Sequence, residues 1–261
     1  MAETTLILNL IENDIEYFQT FSDKIQDSEC ALFYNPRIPN RYDANKAMFI
    51  RLKESAPEDF IDRILSFYRY RNLIPRIELD PFVQPENLEE VLIVKNWNIV
   101  WNKEYSIMTY NPGQATIPET ESIKFEIKYA DYTNLSDLIK IRLASLEEGE
   151  PPEIYINSIL FECMSGRVQY YIVYEGGSPI SKGCLFKYKN LYRIENISTI
   201  PEFRNRGAAR FLVNSIIKDN HHKDALFFLF VEPGTIAENL YRKIGFETIF
   251  TGPFKIYTGE I

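Results

Sequence analysis

The stretch best suited to chemistry is ISTIPEFRNRGAARFL, residues 197–212. An apolar, β-branched run leads into a turn at Pro201, and small residues then open an amphipathic pattern with Phe211, Leu212, Ile216 and Ile217 on one face. A strand that turns directly into a helix leaves the first N–H groups of that helix without intrahelical acceptors, at the positive end of its dipole. Such a junction attracts anions, phosphates above all. Gly207 and Ala209 let a pyrophosphate approach the backbone, where a larger side chain would fill its space. An ordinary strand-to-helix connection shares this outline, so the segment alone leaves both readings open.

A second segment, AENLYRKIGF at residues 237–246, reads as a helix that follows an apolar strand. Leu240 and Ile244 face a core, and Gly245 ends the helix in the left-handed conformation that glycine tolerates. Tyr241 reads equally as an amphipathic core residue when taken alone.

Together the two segments resemble the GNAT N-acetyltransferase superfamily. Arg204-x-x-Gly207-x-Ala209 is similar to its acyl-CoA signature Q/R-x-x-G-x-G/A, and Pro201-Glu202-Phe203 to the P-E-Y/F often found before it. The helix at 237–246 resembles the family's A-x-x-L-Y-x-K-x-G-F. The resemblance covers residues 123–261, with its specific motifs within 196–246. It implies an acyl-CoA-dependent N-acyltransferase that transfers acetyl from acetyl-CoA by direct attack of an amine, with no covalent enzyme intermediate. Arg204, Asn205, Arg206, Gly207, Ala208 and Ala209 would cradle the CoA pyrophosphate, and backbone groups of Ile197, Ser198 and Thr199 would pair with its pantetheine arm. Tyr241 would protonate the departing thiolate; unperturbed thiols and phenols have pKa values of about 8.5 and about 10, so the match is plausible. Asn239 would hydrogen-bond the cofactor or an ordered water. Glu195 shares a strand face with Ile197 and Thr199 by period-2 alternation, and is the candidate general base; a solvated residue or an ion pair with Arg193 is the competing reading. A CoA-binding sensor or scaffold without turnover is the alternative function.

The elements that must position these residues can be read from periodicity. Upstream, helices are expected at 58–70 and 85–95 and strands at 74–79 and 105–110. Downstream come a strand at 123–129, helices at 135–146 and 153–164, a hairpin of 168–174 with 180–187, and a strand at 190–200. A helix at 207–218, a strand at 225–231, a helix at 235–243 and a final aromatic strand pair follow. Strands interleaved with helices predict an α/β (α+β) fold, with a mixed, mostly antiparallel sheet flanked by helices. Ile77-Glu78-Leu79, Glu86-Asn87-Leu88 and the strand at 105–110 echo Leu229-Phe230-Val231, Glu238-Asn239-Leu240 and the strand at 255–258. Either a degenerate repeat of one fold or convergent patterning explains that echo.

The polar run NPGQATIPETES at residues 111–122 marks a boundary near Ile117. It separates an N-terminal domain, 1–116, from the GNAT-like catalytic domain, 117–261. All 11 glycines fall between Gly113 and Gly259, so the first domain cannot build a glycine cradle and is expected to lack a cofactor site. Its open roles are closing the acceptor pocket, supporting the sheet or forming a homodimer surface.

Composition excludes other classes. A net charge of -8 and the absence of any Lys/Arg-rich run argue against a nucleic-acid partner. Acidity favours a cationic acceptor, a small-molecule amine or a protein amino group, through long-range bias. Neither a signal-peptide pattern nor a membrane-length apolar stretch is present, so a cytoplasmic protein with no membrane partner is expected. Cys30, Cys163 and Cys184 are scattered, which predicts neither disulfides nor a metal site. G-x-S-x-G, G-x-G-x-x-G and Walker A patterns are absent.

Overall fold

The computed structural model describes residues 2–111, 124–146, 151–222 and 224–260. The expected boundary near Ile117 lies outside them. Helix α1 (Ala2–Phe18), not among the expected elements, buries Ile7, Leu10, Ile11, Ile15 and Phe18 at three- and four-residue spacing. The chain then divides into two units, Met1–Leu10 with Ser106–Phe250 and Ile11–Tyr105 with Thr251–Ile261.

The second of these begins with three short antiparallel strands, β1 (Asp23–Gln26), β2 (Ala31–Tyr34) and β3 (Lys46–Met48). Helix α2 (Pro57–Tyr70) follows, with Pro57 at its start, Glu58 and Asp59 in the first turn and Arg69 in the last, matching the helix dipole. It buries Phe60, Ile61, Ile64 and Tyr68. Strand β4 (Arg76–Leu79) lies parallel to β3, and α3 (Leu88–Val94) comes next. The strand on the other side of β4 comes from far along the chain: Arg76–Leu79 pairs antiparallel with residues 255–258. Phe60, Ile64, Tyr68, Ile77, Leu92, Trp97 and Tyr257 belong to the core of this unit.

Strand β5 (Asn98–Tyr110) carries the chain into the other unit. There β6 (Phe125–Tyr129), α4 (Leu135–Ala144) and α5 (Pro152–Met164) precede the antiparallel run β7 (Val168–Glu175), β8 (Ser178–Tyr188) and β9 (Leu191–Thr199). Helix α6 (Ala208–Asp219) packs on β7, β8 and β9, burying Leu212, Val213, Ile216 and Ile217. Strand β10 (Leu226–Val231) runs parallel to β9 and antiparallel to residues 106–110 of β5. Helix α7 (Ile236–Ile244) then leads into β11 (Glu247–Thr258). The expected final strand pair is a single long strand. Gly252 and Pro253 lie inside it, just ahead of the four residues that pair with β4. The architecture is the mixed, mainly antiparallel α/β sheet flanked by helices that the sequence predicts.

Candidate cofactor and catalytic site

Strands β9 and β10 pair at Leu191, Tyr192 and Arg193 with Leu226, Phe227 and Phe228. Among the described residues no pair forms beyond Arg193, so the two strands part there. The β8–β9 register slips between Lys182 and Cys184, opposite Asn196, whose φ of 57° makes it a bulge residue. Asparagine tolerates this left-handed region better than most residues. Behind the bulge lies a polar cluster. Lys182 Nζ donates to the Asn196 carbonyl at 2.9 Å, and the Asn196 amide reaches Tyr170 Oη at 3.2 Å and Glu162 Oε2 at 3.4 Å. Tyr170 donates a short hydrogen bond to Glu162. Glu162, Tyr170 and Lys182 are all buried, and burial lowers the Lys182 ammonium to about 8.

Past the bulge, Ser198 and Thr199 pair with Lys182 and Ser181 of β8. Ser181 Oγ donates to the Ser198 carbonyl at 2.9 Å. The Ser198 hydroxyl itself is buried without a partner, an orphan at the edge where β9 leaves β10.

A single 3₁₀ turn (Pro201–Phe203) leads to the exposed loop that holds Arg204, Asn205 and Arg206. Arg204 Nε donates to the Thr199 carbonyl at 3.2 Å, and Arg206 bonds the Glu202 carbonyl at 3.0 Å and Glu175 at 3.4 Å. Asn205 and Gly207 are both left-handed, with φ of 61° and 91°, and curled backbone of this kind forms a concavity of N–H groups. Among the described residues nothing accepts from the N–H groups of Asn205, Arg206 or Gly207. A Cβ on Gly207 would meet only Phe125 Cε2, at 4.0 Å, so the space above this glycine is open. Ala208 and Ala209 begin α6. Open N–H groups at a helix start, an uncrowded glycine and an orphaned hydroxyl suit a phosphate-bearing ligand with a polar arm.

Helix α7 is fixed at both ends. Thr235 Oγ1 accepts from the Glu238 N–H at 3.2 Å, and Glu238 accepts in return from the Gly234 N–H at 2.8 Å and from Arg242 at 2.9 Å. Gly245, at φ 112°, closes the C-terminus. These caps set the rotation of the helix and hence the place of Tyr241, which is buried with its ring edge-on to Phe246. Burial, and then the charge of Glu195, push the Tyr241 phenol well above its ordinary range, so it stays neutral. Asn239 is exposed on the same helix.

Glu195 lies on β9 between the last β9–β10 pair and the bulge. Its Oε1 accepts from Arg193 Nε at 2.7 Å and Nη2 at 2.5 Å. Arg193 is buried against Phe230. Ile197, Ser198, Thr199, Glu195 and the loop 204–209 thus follow one another along the parting strand, and Glu195 is close enough to Tyr241 to act on its charge. Lys182, Glu162, Tyr170 and Asn196 escaped the motif-based reading. A lysine in mid-strand, between Ile180 and the apolar run Cys184 to Phe186, is the signal that would have found the first.

Residues 135–246 match the model of the Acetyltransferase (GNAT) family, so the chain carries a GNAT acetyltransferase domain over that span. Solved structures share the fold. A functionally unknown conserved protein from Staphylococcus epidermidis is similar with a TM-score of 0.69 at 13% identity, over 92% of this chain and 95% of that one. A GCN5-related N-acetyltransferase from Kribbella flavida gives 0.65 at 12% identity, over 97% and 95%. A tandem GNAT protein from the clavulanic acid biosynthesis pathway gives 0.55 at 10% identity, over 82% and 75%. No curated protein matches the sequence.

Proposed function

We propose that the protein is an acyl-CoA-dependent N-acyltransferase that moves acetyl from acetyl-CoA to a primary amine. The observation that carries this is the open N–H loop at Asn205 to Gly207, set just past the point where β9 and β10 part. Arg204 to Ala209 hold the pyrophosphate, and the backbone of Ile197 to Thr199 takes the pantetheine arm beside the orphaned Ser198 hydroxyl. Acetyl-CoA brings the activated thioester carbonyl. The amine nitrogen attacks it, the C–S bond breaks, and the sulfur takes the Tyr241 proton while the ammonium proton leaves through Glu195 or water. Burial and the Glu195 charge raise the Tyr241 phenol, so it is neutral and carries the proton that the thiolate needs. The two bonds from Arg193 orient the Glu195 carboxylate.

The test is thiol release from acetyl-CoA against a panel of small amines and amine-bearing peptides, with CoA binding measured in parallel. Amine-dependent release supports the reading. Tight CoA binding without release for any acceptor would replace it with a CoA sensor, and absence of both would sink it.

A further inference from the structure

The two units share an order of elements: β3, α2, β4 and α3 in one, β9, α6, β10 and α7 in the other, with the first and third of each set parallel. The connection from the first strand to the helix is eight residues long in both, 49–56 and 200–207. By position, Lys53, Glu54 and Ser55 stand where Arg204, Asn205 and Arg206 stand. The N–H groups in this second loop have an acceptor. Glu29, from the β1–β2 turn, takes the Lys53, Glu54 and Ser55 N–H groups on Oε1 at 3.2, 3.1 and 2.9 Å, and the Ser55 hydroxyl on Oε2 at 2.6 Å. Arg63 approaches the same Oε2 at 3.4 Å. The Ser55 bonds lead in holding the buried carboxyl down, at about 2.

An independent feature agrees. Where β9 and β10 part, the corresponding strands are stitched together beyond their ends. Leu52 N–H donates to the Gln84 carbonyl at 2.9 Å, Gln84 N–H donates to the Ile50 carbonyl at 3.1 Å, and Arg51 grips Asp80 with two bonds of 2.8 and 2.9 Å. The slot that a pantetheine arm would need is filled by main-chain pairing.

We propose that Glu29 is the resident anion of the loop at 51–56, a carboxylate built into the place where a phosphate would sit, so that this unit takes no CoA and the protein binds one CoA per chain. The count of one rests on the proposed CoA site; the role of Glu29 does not. A charged acceptor bonded to several N–H groups of one loop folds that loop around itself, and its removal leaves the donors buried or open to another anion.

The test uses the full chain. In chloride buffer Glu29→Ala should melt roughly 5 °C or more below wild type. Phosphate or pyrophosphate at matched ionic strength should restore a large part of that loss while moving wild type less. An equal response of both proteins to phosphate overturns the proposal. Should Glu29→Ala fail to fold in either buffer, Glu29→Gln decides, because it keeps the shape and removes the charge. A Gln variant as stable as wild type at pH 7 would overturn the assignment, and a lower melting temperature that converges on wild type as pH falls from 4.5 towards 2 supports it. Calorimetry supplies the count: one CoA per wild-type chain and none for Gly207→Glu. Two per chain, of which folded Gly207→Glu keeps one, would show the second loop to be open. Absence of CoA binding by wild type would defeat the functional reading and leave the melting experiment to judge Glu29.

Discussion

Lys182 Nζ donates to the main-chain carbonyl of Asn196 at 2.9 Å, tying a fully buried charge to the bulge where β9 leaves β10. Lys182→Met keeps most of the stem volume but strips the carbonyl of this donor, and should cost about 1–3 kcal/mol in urea unfolding. The pH dependence has a definite sign. Because the folded-state value is about 8, below the ordinary 10.5, the unfolded chain binds more protons between those limits. Wild type should therefore gain stability relative to Lys182→Met as pH rises from 8 to 10.5. A constant difference across that window would show that Lys182 does not titrate as a buried ammonium.

Gly183 lies opposite the same bulge, and a Cβ there would stand 2.2 Å from Ile197 Cδ1 and 3.2 Å from Leu212 Cδ2. The Ile197 terminus must move to admit even alanine. Gly183→Ala should lose about 1–3 kcal/mol by overpacking and weaken CoA binding, since Ile197 opens the stretch assigned to the pantetheine arm. Chemical denaturation and calorimetry read the two effects separately, and unchanged CoA affinity would detach Ile197 from the site.

Gly207 sits at φ 91°, with open space where a side chain would go. Gly207→Ala should bear only the backbone cost, about 1 kcal/mol or somewhat more, and retain measurable CoA affinity. Gly207→Glu should remove that affinity by placing bulk and negative charge beside the phosphates. Wild-type affinity in folded Gly207→Glu would refute the placement of the cofactor.

Tyr241→Phe removes only a hydroxyl, and the ring contact with Phe246 survives. If the phenol protonates the thiolate, kcat should fall roughly a hundred- to ten-thousand-fold with CoA affinity preserved. Similar losses in kcat and kcat/KM would mark an interaction made in the transition state, and a change confined to KM would mark a binding role. Unchanged turnover, with chemistry limiting the rate, would leave water as the proton source.

Much of this site can be read in the sequence because its information is local. Gly207 and Gly245, the Thr235 and Glu238 cap, and the apolar faces of α6 and α7 each act within one or two turns, and the helices expected at 207–218 and 235–243 lie within one residue of the observed ones. Sequence also names Glu195, with Arg193 as its competing partner, and the structure shows that pair formed. What stayed hidden depends on residues far apart. The clamp on Asn196 draws Glu162 from α5, Tyr170 from β7 and Lys182 from β8, and no spacing rule joins them. Periodicity likewise locates a strand without naming its neighbour, so the pairing of β4 with residues 255–258 was invisible. Glu29 was obscured for the same reason, since its partners lie beyond two strands.

That pairing of β4 has a consequence for synthesis on the ribosome. Thr258 Oγ1 bonds the Pro75 carbonyl across 183 residues of chain, and Gly259 N–H bonds the same oxygen. While residues 80–250 are being translated, β4 has no antiparallel partner of its own, and its free edge is exposed to other chains. The intervening unit can organise around β10 as soon as α7 has emerged, because residues 106–110 are already made. Completion therefore runs against the order of translation: the unit that takes residues 11–105 is finished last. Its nascent form is the stage at which a chaperone would matter most, and where non-local closure would slow folding.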